Sequence, residues 1–174
     1  MMRKKAALHL DQRLSLMIEN AYYASNPPDR PATSAKERSP IELYLRKLLY
    51  KDLTVNNTDA VLRQIRKFNW DDADTRKLLK KLFFKVWKIK YSNIDCLAWM
   101  LYQLNKFYPD FGVSVVDSIL EEIRLGMESN LFKNNQRRIS VVKYLGEMYN
   151  YRLIGHTLVF DTLYSLVRFG HGMV

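Results

Sequence analysis

Residues 113–130 read VSVVDSILEEIRLGMESN, and after a short break residues 135–152 read NQRRISVVKYLGEMYNYR. In the second segment Val141, Tyr144, Leu145, Met148 and Tyr149 recur at i, i+3, i+4, i+7 and i+8, which is one apolar face of a helix. In the first, Val113, Val116, Leu120, Ile123 and Met127 form a similar stripe and are expected to be buried. Beside that stripe runs a row of carboxylates. With Asp117 at zero and 3.6 residues per turn, Glu121 lies at about 40° and Glu128 at about 20° around the axis. Glu122 points further away, and Arg124 falls within the row, where it can bridge Glu121 or Glu128. Gly126 and Gly146 lie off the apolar faces. A mid-helix glycine costs about 1 kcal/mol relative to alanine, so a second helix is expected to approach closely at each.

Helical periodicity extends outward from these two segments over nearly the whole chain, and no stretch keeps a period of two. A first helix is expected over Arg3–Ala24. SNPPDRPATSAKERS, Ser25 to Ser39, then breaks it with consecutive prolines and is read as a mobile linker. Ser39-Pro40-Ile41-Glu42 is a helix start: Ser39 caps, Pro40 suits the first turn, and Glu42 can reach back to complete a capping box. That helix runs to Leu53. The others are expected over Thr58–Phe68, Asp72–Tyr91, Ser92–Phe107, Asp110–Ser129, Asn135–Tyr151 and Gly155–Phe169. Eight helices with short connections imply antiparallel neighbours. The expected fold class is therefore all-α, built of stacked antiparallel helical hairpins as in a HEAT-like α-solenoid, in one helical domain over residues 1–174.

Charge is unevenly distributed. Residues 1–92 carry 20 Lys and Arg against 10 Asp and Glu, while residues 93–174 carry 8 of each. From Phe107 to Phe132 five acids face Arg124 alone. On a chain of net charge +10 this local reversal reads as a docking surface for a basic protein, with a solvated helix face as the plainer alternative. A second constellation is basic. Lys77, Lys80, Lys81, Lys85 and Lys88 cover one side of the Asp72–Tyr91 helix, opposite Leu78, Leu79, Leu82, Phe83, Val86 and Ile89. Such a stripe can track the phosphates of RNA without reading sequence, or can simply be a solvated face.

Chemistry of other kinds finds little to stand on. His9, His156 and His171 are far apart, no cysteine pair or glycine-rich phosphate loop is present, and Gly170-His171-Gly172 reads as a helix stop. Neither an enzyme nor a bound metal or cofactor is expected. The lone Cys96 lies in the apolar run IDCLAWML and reads as a buried core residue of a reducing compartment. No apolar run is long enough to span a bilayer and no secretory signal is legible, so a cytoplasmic monomer with no membrane or small-molecule partner is expected.

RRISVVKYLGEMYNYRLI, residues 137–154, resembles the signature helix of the middle-domain family named after translation initiation factor four-gamma. LDQRLSLMIENAYYASNPP, IELYLRKLLYKDLT, VLRQIRKFNW and VVDSILEEIRLGMESN followed by NQRRIS extend the likeness from Leu10 to Gly170. Together they resemble the third middle domain of the scaffold proteins of nonsense-mediated mRNA decay. That resemblance implies a non-catalytic helical-hairpin solenoid that binds the RNA-recognition-motif domain of the third up-frameshift factor. The positions matching the family's acidic contacts are Asp117, Glu121 and Glu128. It also implies that an RNA helicase is bridged by a region outside this chain. Finally, it implies a third domain that continues past Val174, so that the last helix pair would lack a packing neighbour.

Overall fold

The computed structural model describes residues 11–26, 38–129 and 131–169. His9, His171, the Gly170-His171-Gly172 stop, residues 3–10 of the first expected helix and residues 27–37 of the expected linker lie outside them. The described residues form eight α-helices and no strand. Contacts divide the chain into two units, Met1–Glu37 and Arg38–Val174. In the first, α1 (Gln12–Ser25) starts at Asp11, whose carboxylate accepts from the Gln12 N–H.

In the second unit α2 (Pro40–Lys47) begins as its sequence dictates. The Ser39 hydroxyl accepts from the Glu42 N–H at 3.2 Å, and Pro40 occupies the first turn. The reciprocal bond of the capping box is absent. Glu42 turns its carboxylate instead to Arg46 at 3.1 Å, Lys81 at 3.6 Å and Arg38 at 3.9 Å, because three cations outweigh one exposed backbone N–H. The chain then widens into a π turn over Leu48–Asp52. There follow α3 (Thr58–Arg66), α4 (Ala73–Phe84), α5 (Ile94–Asn105), α6 (Pro109–Ser129), α7 (Asn135–Asn150) and α8 (His156–Phe169).

α5 lies at the centre. Ile94, Cys96, Leu97, Ala98, Met100, Leu101 and Leu104 are all buried on it, more than one apolar stripe can account for, and it packs against α3, α6 and α7. α6 packs in turn on α4, α5, α7 and α8. An aromatic cluster sets where α6 begins: Trp70 stacks on Tyr108 at 4.2 Å, and both Trp70 and Phe83 meet Phe111 edge-on. The Trp70 indole N–H donates to the Ile65 carbonyl, so its polar edge is satisfied. Gly112 beside this cluster leaves room for the Asn105 carboxamide at the end of α5, which would have to turn away from a Cβ there.

Four expectations are corrected. The helix expected over Asp72–Tyr91 stops at Phe84. Lys85 leaves helical geometry with ψ 51°, and a separate 3-10 turn, Val86–Lys88, packs on α7. The sequence there has no Gly or Pro, so tertiary packing overrides helical propensity: Val86 enters the core while Trp87 lies between Phe84 and Arg137. On α6, Val113 is 59% exposed, and the core line runs instead through Phe111, Val115, Val116, Ile119 and Ile123. On α7, Val141, Tyr144, Leu145 and Met148 are buried but Tyr149 is exposed. Nothing approaches Gly146, whereas Gly126 does carry a neighbour, the Arg138 side chain at 3.3 Å from a Cβ built there.

Tyr144 is fully buried and its hydroxyl has no hydrogen-bond partner among the described residues, and burial pushes its pKa well above the ordinary phenol value. Tyr144→Phe removes a desolvated, unsatisfied group and should leave the unfolding midpoint unchanged or raise it, by up to about 1 kcal/mol in chemical denaturation. Ser39→Ala should act in the opposite direction, lowering stability by about 1 kcal/mol in the same assay through loss of the cap.

Candidate functional site

The two charged constellations, distant in sequence, meet in space. α4 packs against α6, and between them runs a groove of about 690 Å³ lined by Lys77, Lys80, Lys81 and Lys85 on one side. Asp117, Glu121 and Glu122 line the other side, and Phe84 and Leu125 supply apolar surface. Lys88, placed with the others by helical periodicity, is exposed on the turn beyond the break and does not line the groove.

The acidic side is built from the rotation of α6. Burial of Val115, Ile119 and Ile123 leaves Asp117, Glu121 and Glu128 exposed along one outer line. Glu121 meets Arg124 at 4.0 Å, but both side chains are mostly exposed, so the pair contributes little. Asp117 and Glu128 have no ion-pair partner within 4.0 Å among the described residues. The row is not confined to one concavity. Eleven helical steps lead from Asp117 to Glu128, a rise of about 16 Å at 1.5 Å per residue. Glu128 accordingly lines a second groove with Arg124, Met127 and Ser165 of α8.

Glu122 is the carboxylate that sequence reasoning set aside, and it is the most strongly held. Its side chain is 12% exposed and takes both a 2.5 Å contact with Arg137 Nε and a 2.6 Å hydrogen bond from Arg137 Nη2. The Arg137 guanidinium also lies 3.9 Å from the centroid of the Trp87 ring. This ion-paired, stacked arrangement, with one hydrogen bond from the guanidinium, ties α6 to α7 and to the turn after α4. An acid and an arginine on adjacent helices give no signal in either helix's own periodicity.

On the basic side, Lys81 shares Glu42 with Arg46, and Lys77 makes a 3.8 Å contact with Asp74 that is almost wholly exposed. Lys80 and Lys85 have no ion-pair partner within 4.0 Å among the described residues, and no ion pair bridges the groove. Partial burial of Lys85, reinforced by the charges of Lys81, Arg46, Lys88 and Arg137, lowers its pKa below the usual lysine value. For Glu42 burial alone would raise the pKa, but the Arg46 hydrogen bond and the charges of Lys81 and Arg46 prevail and lower it.

Among the described residues no group of three or more His, Cys, Asp or Glu can hold a metal ion, and no helix is long and apolar enough to cross a membrane. Cys96 is buried, and that burial raises its thiol pKa.

The sequence over residues 43–173 matches the model of the MIF4G domain. The chain belongs to the MIF4G domain family. This MIF4G domain is 50% identical over 170 residues to Regulator of nonsense transcripts 2 of Homo sapiens, covering 98% of this chain and 13% of that protein. It is 40% identical over 171 residues to Regulator of nonsense transcripts UPF2 of Arabidopsis thaliana, covering 98% of this chain and 14% of the relative. With Nonsense-mediated mRNA decay protein 2 of Saccharomyces cerevisiae it shares 33% identity over 170 residues, 97% of this chain and 16% of the relative. The chain thus spans about one-seventh of the length of these relatives. The all-α, HEAT-like architecture is that of the MIF4G family.

Because Glu122 and Arg137 hold three elements together, Glu122→Ala should destabilise the MIF4G domain by about 2 kcal/mol in denaturant unfolding. Asp117→Ala, on the same helix but unpaired, should change stability by less than about 0.5 kcal/mol.

Proposed function

We propose that this MIF4G domain is a non-catalytic scaffold module of nonsense-mediated mRNA decay. Its acidic line on α6 docks the RNA-recognition-motif domain of the third up-frameshift factor in the cytoplasm. The observation that carries the reading is the line of exposed carboxylates, Asp117, Glu121 and Glu128, on a helix whose opposite side is anchored in the core. A rigid element holds these charges at fixed spacing, and two of the three have no ion-pair partner among the described residues. Preorganised, unpaired charge of one sign favours encounter with a surface of the other sign and rejects like-charged surfaces. The identity with regulators of nonsense transcripts over 97–98% of the chain supports the pathway assignment.

A second reading, sequence-independent RNA binding, is favoured by the unpaired Lys80 and Lys85 of the α4 side, with Lys81 contributing. Lys88 lies apart from them on its own turn, which shortens the stripe that phosphates would track.

The docking reading is tested by titrating the purified recognition-motif domain into charge-reversed variants. Glu128→Arg replaces attraction by repulsion, and loss of a desolvated charged contact costs about 2–5 kcal/mol, so affinity should fall by well over tenfold. Asp117→Arg and Glu121→Arg should act in the same direction. Glu147→Arg, on α7, is the control and should bind as the unaltered chain does. A correctly folded Glu128→Arg protein with unaltered affinity would reduce the acidic line to a solvated face.

A further inference from the structure

We infer that the lysine side of the α4–α6 groove is the second half of the same docking surface, receiving carboxylates that the partner presents beside its basic residues. The inference rests on the docking reading above and adds a requirement to it: the partner's face must carry both signs of charge, ordered across the groove.

The geometry supplies the first argument. Lys77, Lys80, Lys81 and Lys85 line the same groove as Asp117 and Glu121, so a body seated against the acids meets the lysines too. The two sides do not pair directly, since no lysine of the α4 side comes within 4.0 Å of an α6 carboxylate among the described residues. Both remain available to a third party.

Charge supplies the second. Two of the acids bordering this side are already engaged elsewhere: Glu42 is shared by Arg38, Arg46 and Lys81, and Glu122 is held by Arg137. Lys80 and Lys85 are left with no ion-pair partner among the described residues. The lowered pKa of Lys85, partly buried among four other cations, is consistent with an excess of positive charge on this side. A partner face that was basic throughout would gain at Asp117 and Glu121 and lose at the lysines. Carboxylates opposite the lysines convert that loss into a second attraction and fix the partner's orientation, because rotating it would set like charges against each other on both sides. Phe84 and Leu125, the latter 48% exposed, offer apolar surface between the charged sides.

The test is a sign test. The whole chain and its variants are titrated with the recognition-motif domain at one ionic strength, with helical circular dichroism checking each fold. Lys80→Glu combined with Lys85→Glu should weaken binding about tenfold or more, and Lys77→Glu with Lys80→Glu, both on α4, should do the same even if the first pair perturbs the half-buried Lys85 site. Lys80→Gln with Lys85→Gln should weaken it less, and Lys67→Glu, exposed on another element, should leave it unchanged. If the reversals leave affinity equal or tighten it while Asp117→Lys abolishes binding, the lysine side merely repels a basic partner; the inference fails and the docking reading stands. If they leave partner affinity intact but abolish binding of single-stranded RNA, the side belongs to phosphates and the inference fails in that way. If Asp117→Lys also leaves affinity intact, the docking reading fails and takes the inference with it.

Discussion

The rotation of α6 about its own axis is the constraint on which the candidate site depends. Val115, Ile119 and Ile123 are buried against helices on more than one side, and Phe111 is pinned by Trp70 and Phe83 at the start of the helix. With those contacts made, each remaining side chain has one direction available. Asp117, Glu121 and Glu128 face outward, and Glu122, 100° on from Glu121, turns into the seam with α7. Of the five carboxylates on α6, Asp110, Asp117, Glu121 and Glu128 are thereby exposed and Glu122 closes a structural contact.

Much of this was legible in the sequence because helices advertise themselves by period and by their ends. The Ser39 cap, the central apolar run of α5 and the face of α7 through Val141, Tyr144, Leu145 and Met148 all follow from spacing. The outer acidic line could likewise be read off α6. What escaped depends on neighbours. A wheel drawn for one stripe put Val113 inside and overlooked Val115 and Ile119, because α6 is covered on several sides and its core band is wider than a single stripe. The end of α4 at Phe84 has no local marker either. It is set by the fit of Val86 and Trp87 against α7 and its Arg137.

Charge segregation along the chain takes on a different meaning once folded. The basic first half and the acid-bearing α6 read as two separate halves of a molecule, each with its own prospective partner. Packing of α4 on α6 places part of each on the two sides of one groove. A long-range pairing of this kind cannot be seen in a running charge count, which records sign against position and not against space. The electrostatic character of the surface is therefore a property of helix packing, although every charge that contributes to it is visible in the sequence.

The division between Glu122 and its neighbours also governs how variants of α6 are to be interpreted. A change at Glu122 leaves Arg137 stacked on Trp87 with its carboxylate gone, so any loss of binding that follows is carried through the seam between α6, α7 and the Val86–Lys88 turn. A change at Asp117 or Glu128 disturbs no ion pair among the described residues and reaches a partner without passing through the fold. Residues one position apart, Glu121 and Glu122, thus report on different things, docking and architecture. The difference is one of helical phase: a single 100° step separates a side chain facing solvent from one facing the next helix.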